Sequence, residues 1–240
     1  VPMPIRPDLF DPHTVHFHGF PNASTIFDGE PMVSIAINQG ASLTYYYKLL
    51  GREGTYLYHC HVEATEHMQM GMLGNLYVSA SQAGPLGSCG AGACTRFAYN
   101  DGDGSTGFDI EFPIQMASFD PAFHDASFSV QPLPFADMRD TYYLLNGRGY
   151  PDTLDPAALP PPLLDPVGDP FDQPAKVSQP VSSLITASSG QKILLRISNL
   201  SVTDYGTLAS FGIPMQVVAR DARLLRGGDG TNQYYKTNSV

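Results

Sequence analysis

Three consecutive residues, His59, Cys60 and His61, open the stretch YHCHVEATEHMQMGM from Tyr58 to Met72 and make a demand that few folds can meet. Neighbouring ligand-type side chains can act separately only if the backbone fixes their directions. At the end of a β-strand successive side chains alternate between faces, so Cys60 points one way and both histidines the other. One strand can then serve two sites. A second stretch, His13-Thr-Val-His16-Phe-His18-Gly19, repeats the device with a pair of histidines two apart and a third just ahead of them. Six of the seven histidines fall in these two stretches, and His124 alone lies outside. The pairs His16/His18 and His59/His61 are expected to meet on one face, and His13, Cys60 and His67 on the other.

A thiolate and two imidazoles in a trigonal plane, with a long axial thioether, make the ligand set of a blue copper centre. Met72 is the expected axial ligand, with Met68 and Met70 as lesser candidates. Zinc also accepts cysteine and histidine, but its sites seldom include a thioether. A single histidine in a strand is usually no more than a hydrogen-bonded or exposed side chain. The reading therefore rests on two HxH pairs enclosing the only cysteine of the region.

HxxHxHG, followed by HCH, a further histidine and a methionine, resembles the copper-ligand pattern of the multicopper oxidases. Carried over by position, the resemblance implies that His13, Cys60, His67 and Met72 hold type 1 copper. It implies His16 as a type 2 ligand and His18, His59 and His61 as type 3 ligands. One departure is visible: five residues separate His61 from His67, where the family usually has three, so the ligand loop is longer. The implied activity is one-electron oxidation of a donor, a phenol or a low-valent metal ion, coupled to reduction of dioxygen to water. Cys60, His59 and His61 would link the two centres through the chain itself. The family's trinuclear cluster uses eight histidines, and this chain offers four for it. The other four are expected from a further cupredoxin domain or a neighbouring subunit. A copper nitrite reductase and a blue-copper electron-transfer protein are the alternatives; His61 speaks against the first, since nitrite reduction needs no second histidine after the cysteine.

With 23 Gly, 21 Pro, 13 Tyr and 13 Phe among 240 residues and only 15% charged residues, the composition favours strands and turns. The net charge of −10 argues against a nucleic acid or an anionic membrane as partner. No apolar run approaches the ~20 residues that span a bilayer, and no signal peptide is visible. The expected fold is all-β: two cupredoxin-like Greek-key β-sandwiches, the first truncated at its N-terminus and the second at its C-terminus. Residues 1–80 form the copper-bearing domain, 81–107 a Gly/Ser/Ala-rich linker, and 108–240 a second domain without copper. In that second part LNGRGYPDT and ILLRISNL…VVARDARLL resemble the copper-free middle domain of three-domain multicopper oxidases.

Expected strands are Val15–Phe20, Ser34–Ile37, Ser42–Leu50, Gly54–Tyr58, Gly74–Val78, Phe108–Met116, Thr141–Leu145, Lys192–Ser198 and Met215–Ala219. Asp28-Gly29-Glu30-Pro31 is a turn, residues 1 to 12 are proline-rich and irregular, and Pro151–Pro180 is a long surface excursion, either a lid near the substrate or, as the favoured reading, an inert wrap. Asn100–Ser105 has part of a calcium-loop pattern and reads as a solvated turn. Cys89 and Cys94 either close a disulfide across a Gly-Ala loop or remain free thiols. A disulfide would agree with the extracellular or periplasmic location that the resemblance implies.

Overall fold

A computed structural model describes residues 12–19, 24–38, 40–90, 92–127, 133–159 and 179–240. The first sheet has three antiparallel strands in sequence order: β1 (His16–Phe17), β2 (Gly54–His59) and β3 (Leu73–Val78). Alternating Tyr, Leu and Thr side chains suit β2 to a half-buried pleated surface. Its inward residue Tyr56 is buried with Val78, and Phe17, Tyr47, Leu76 and Ala222 pack around them. The register sets His16 opposite His59 and Phe17 opposite Tyr58, so the two histidine motifs lie side by side. Between β2 and β3 the chain forms a short helix, α1 (Ala64–Gln69).

Between β1 and β2 the expected strands are only partly realised. Ser34–Ile37 contributes one isolated bridge, Ile37 to His13. Ser42–Leu50 forms no ladder among the described residues, although its burial alternates: Leu43, Tyr45 and Tyr47 turn inward and Thr44, Tyr46 and Lys48 outward. Aromatic packing of Tyr47 on Phe17 and of Tyr45 on Phe27 produces that alternation without strand pairing.

The described residues of 81–107 are folded. β4 (Leu86–Cys89) and β5 (Gly92–Cys94) form a hairpin closed by the Cys89–Cys94 disulfide, and β6 (Arg96–Phe97) pairs with β7 (Gly107–Phe108). Phe97, Ala98, Tyr99 and Phe108 are buried, and Gly107 sits so close to Cys94 Sγ that no Cβ would fit.

A second three-stranded sheet is centred on β8 (Ile110–Phe119), with β9 (Tyr142–Leu145) antiparallel on one side and β10 (Ile193–Asn199) parallel on the other. A second short helix, α2 (Pro121–Ser127), follows β8, with proline in its first turn, where no backbone N–H is needed. The chain finishes in four short strands, β11 (Met215–Val217), β12 (Ala219–Arg220), β13 (Arg223–Leu224) and β14 (Tyr235–Thr237). β11 pairs with β14 and β12 with β13. The expected strand Met215–Ala219 is thus broken at Val218. Arg196 on β10 reaches the first sheet, pairing with Glu111 and donating to Thr55 Oγ1 at 3.0 Å.

Two short α-helices and three single 3-10 turns apart, the regular structure of the described residues is strand, as expected for an all-β chain. Most of Pro151–Pro180 and the proline-rich start lie outside the described residues, as does Phe20, the last residue of the first expected strand. The two ends of the Pro151–Pro180 excursion meet at Arg148, which is fully buried. Its guanidinium donates to the carbonyls of Asp155 and Ala157 at 2.7 and 2.6 Å and to that of Gln179 at 2.7 Å.

Candidate metal centre

Cys60 follows β2 directly and keeps the strand's alternation. Its Sγ lies 3.4 Å from His67 Nδ1 and 3.9 Å from His13 Nδ1, while the His59 and His61 rings stack on each other at 5.5 Å. The donor atoms of His13, Cys60 and His67 all lie within 4.8 Å of one another. Each is placed by a separate device. A two-way backbone bridge to Ile37 holds His13. The end of β2 presents Cys60. The five residues after His61 wind into α1, entered through Glu63 in the left-handed conformation (φ 45°), and His67 N–H closes onto the Glu63 carbonyl at 3.1 Å. A helical turn therefore absorbs the two additional residues of the loop.

Met72 is stitched to the same group. Its carbonyl accepts from Cys60 N–H at 3.0 Å, and its N–H donates to the His67 carbonyl at 2.9 Å. Met72 and Met68 are half-buried, and Met70 is 59% exposed. Burial alone would push the Cys60 thiol up. Interactions with His67, with the backbone at Thr14 and Val62, and with His13 outweigh burial and bring it down to about 7. A thiol poised to ionise and two imidazole nitrogens, with the backbone of Met72 tied to two of the three residues, fit copper; zinc would accept the thiolate and the imidazoles as well.

On the other side of the strand His16, His18, His59 and His61 form one cluster, with neighbouring ring centroids 5.0 to 5.7 Å apart. His59 Nδ1 donates to the Cys60 carbonyl at 2.7 Å and His16 Nδ1 to the Asp28 carbonyl at 2.6 Å, because a carbonyl can only accept. Both rings thereby direct an Nε2 lone pair into the cluster. His18 Nε2, 2.8 Å from His59 Nε2, is then the donor of that pair. Lost hydration and then repulsion from His59, His16 and His61 hold the His18 imidazole down to about 4. His59 is lowered as well, by burial first, against the opposing hydrogen bond to the Cys60 backbone. These rings are kept neutral, which is the ligand form of histidine.

Four residues around the site escaped the sequence reading. Asp28 and Glu30 face His16 and His61, with Glu30 Oε2 3.4 Å from His61 Nδ1. Their spacing on either side of Gly29 was the available signal, read only as a turn. Gly29 has φ +83°, and a Cβ there would collide with the Val15 carbonyl, so glycine is what lets the turn lie against β1. Buried Thr14 accepts from His61 N–H at 3.2 Å, and Gln69, also buried, reaches across to residues following β8. Nothing in their sequence neighbourhoods marks these two.

Residues 5–83 match the family model described as multicopper oxidase. That match covers about a third of the chain, the part that carries both histidine motifs and Cys60, and makes this part similar to multicopper oxidases. The architecture is similar to that of a blue copper oxidase from Nitrosomonas europaea, with a TM-score of 0.63 at 19% identity, over 95% of this chain and 55% of that one. The chain thus spans about half the length of that cupredoxin-fold protein. The multicopper oxidase mgLAC aligns at 24% identity over 58% of this chain and 38% of its own, with a TM-score of 0.42. A further multicopper oxidase structure aligns at 22% identity over 61% and 39%, with a TM-score of 0.37. No curated protein sequence matches the chain.

Proposed function

We propose that this chain is the type 1 copper-bearing part of a multicopper oxidase that oxidises a one-electron donor and passes the electrons to dioxygen. The observation that carries the reading is the pair of donor sets on opposite faces of one strand end: His13, Cys60 and His67 on one, four imidazoles on the other. His13, Cys60, His67 and Met72 are proposed to hold type 1 copper, His16 type 2 copper, and His18, His59 and His61 type 3 copper. Copper supplies one-electron redox chemistry at the thiolate and dioxygen reduction at the imidazole cluster. Cys60 contributes a soft thiolate, its imidazole neighbours serve both oxidation states, and Met72 tunes the potential. The backbone from Cys60 to His59 and His61 is the shortest covalent route between the two faces.

Residues 1–80 form the copper-bearing domain in this reading, 81–107 join the domains, and 108–240 form a second cupredoxin-like domain without copper. The four imidazoles are half of the eight the cluster requires. A further cupredoxin domain of the same polypeptide supplies the rest, or a neighbouring subunit does so across a symmetric interface. The donor belongs to the class of phenols or low-valent metal ions. An extracellular or periplasmic setting is supported by the Cys89–Cys94 disulfide, and no described helix is long and apolar enough to cross a membrane. His61, with its own carboxylate partner Glu30, favours the oxidase over a nitrite reductase.

The test is Cys60→Ser in copper-loaded protein. The intense blue thiolate-to-copper absorption, and with it the stoichiometric one-electron oxidation of a donor by that copper, are expected to disappear. A variant that stayed blue would place the type 1 site elsewhere.

A further inference from the structure

His67 and Met72 are joined by a stretch that leaves the first sheet and touches the second. Within it stands Gln69, the last residue of α1, with its side chain buried. One end of its amide lies 3.0 Å from the Asp120 backbone N–H and 3.0 Å from His124 Nε2, and the other 2.6 Å from Asp140 Oδ1. The orientation is dictated by chemistry: a backbone N–H only donates, so Oε1 faces Asp120, and a carboxylate only accepts, so Nε2 faces Asp140. His124 then donates through Nε2. This is the one histidine that lay outside the ligand motifs.

The receiving groups are themselves held from behind. Asp120 accepts from Phe123 N–H at 3.1 Å and Arg139 N–H at 2.7 Å, and Asp140 accepts from Ser118 Oγ and, at 3.3 Å, from Thr203 N–H. The His124 ring stacks on Phe119 with centroids 4.7 Å apart. By contrast α1 has six residues and no side-chain cap at its start. So short a helix does not hold its place by its own hydrogen bonds. Its position, and with it the approach of His67 and Met72 to Cys60, depends on what it is tied to.

We propose that Gln69 is a positioning residue for the type 1 centre: its buried amide clamps the His67–Met72 loop to the Asp120/His124/Asp140 receptor and so sets the ligand geometry about Cys60. The inference rests on the type 1 reading of His13, Cys60, His67 and Met72. Partners that orient ligands tune a metal site although they never touch the metal, and a blue centre's potential follows its weak axial contact and the surroundings of its sulfur.

Copper-loaded parent protein is compared with Gln69→Leu, which keeps the volume and removes the amide, and with Asp140→Ala, which removes the receptor's acceptor from the far side. Asp101→Ala, in the loop between β6 and β7, is the control for general destabilisation. Gln69→Leu and Asp140→Ala are expected to keep one copper per chain, but with a shifted blue absorption maximum, an altered copper hyperfine splitting in the EPR spectrum and a displaced reduction potential. Asp101→Ala should leave all three at the parent values. If Gln69→Leu fails to fold, Asp140→Ala carries the comparison. Spectra and potentials coinciding with the parent's in the folded variants would make Gln69 purely structural and overturn the proposal. A parent that binds copper without any blue band would overturn the type 1 reading instead, and the proposal with it.

Discussion

Met72 is tied through its own backbone to two other members of the proposed type 1 set, Cys60 and His67, whereas Met70 is 59% exposed. Of the three thioethers that the sequence offers, this favours Met72 as the axial group. A thioether donates electron density to copper and an aliphatic side chain does not, so its removal disfavours the oxidised state. Met72→Leu is therefore expected to raise the reduction potential, and Met70→Leu to leave it unchanged, in redox titrations followed by the blue absorption. An unchanged potential in Met72→Leu, with a shift in Met68→Leu, would move the axial role. The ligand candidates were legible one residue at a time, because strand alternation converts spacing directly into direction. Their supports were not. Thr14 acts through a hydroxyl 47 residues from His61, and Gln69 through an amide 71 residues from Asp140, separations at which neighbouring sequence carries no signal.

Strands stand where they were expected at Gly54–Tyr58, Gly74–Val78, Phe108–Met116, Thr141–Leu145 and Lys192–Ser198, whereas neither helix was expected. α1 and α2 have six and seven residues, too few for the helical period to emerge from sequence. Conversely, Ser42–Leu50 has the alternation of a strand without its pairing, because that pattern reports a buried face rather than a ladder. The turn at Asn100–Ser105 was legible as a turn, but its organiser was hidden. Asp101, 4% exposed, accepts from Gln82 Nε2 at 2.9 Å, Gly104 N–H at 2.8 Å, Thr106 N–H at 2.6 Å and Thr106 Oγ1 at 2.5 Å. These donors take up the lone pairs that a calcium ion would need. Burial alone would raise the carboxyl, but the donors, Thr106 foremost, hold it below its ordinary 3.8. A carboxylate whose folded pKa is depressed stabilises the fold fully above its unfolded pKa and loses that contribution as pH falls through the folded value. Asp101→Ala is accordingly expected to cost about 2 kcal/mol at pH 7, the scale of lost hydrogen bonds to a charged acceptor. The gap to the parent should close as the pH drops below 3.8, as read from urea midpoints across that range. A gap that persisted in acid would mean the carboxylate charge is not what holds the loop.

Arg196 to Thr55 joins the two sheets, Gln69 to Asp140 ties the ligand loop to the segment before β9, and Arg226 ties the C-terminal strands to the loop between β6 and β7 by donating to the Asp101 carbonyl at 2.6 Å. Only one face of the ligand strand carries a complete donor set among the described residues: His13, Cys60 and His67 with Met72 beside them. The opposite face brings four imidazoles where the proposed cluster needs eight. Protein of these 240 residues alone is therefore expected to bind about one copper per chain, in the blue site, and to fail to reduce dioxygen. Metal analysis together with an oxygen electrode decides it. Four coppers per isolated monomer with oxidase activity would show that the ligand count is mistaken.

From the sequence alone came the all-β class, the grouping of six histidines and Cys60 into two sets, and the family resemblance. All three rest on local patterns, namely composition, alternation and ligand spacing, which need no knowledge of what packs against what. Tertiary structure decided the rest: the pairing of His16 with His59, the helical turn that delivers His67, the burial of Asp101 inside an apparent linker, and the hold of Gln69 and His124 on the ligand loop. Each depends on contacts between segments far apart in the chain. Their partners become neighbours only when apolar surfaces such as those of Tyr56 and Val78 are buried together, so no local pattern encodes them.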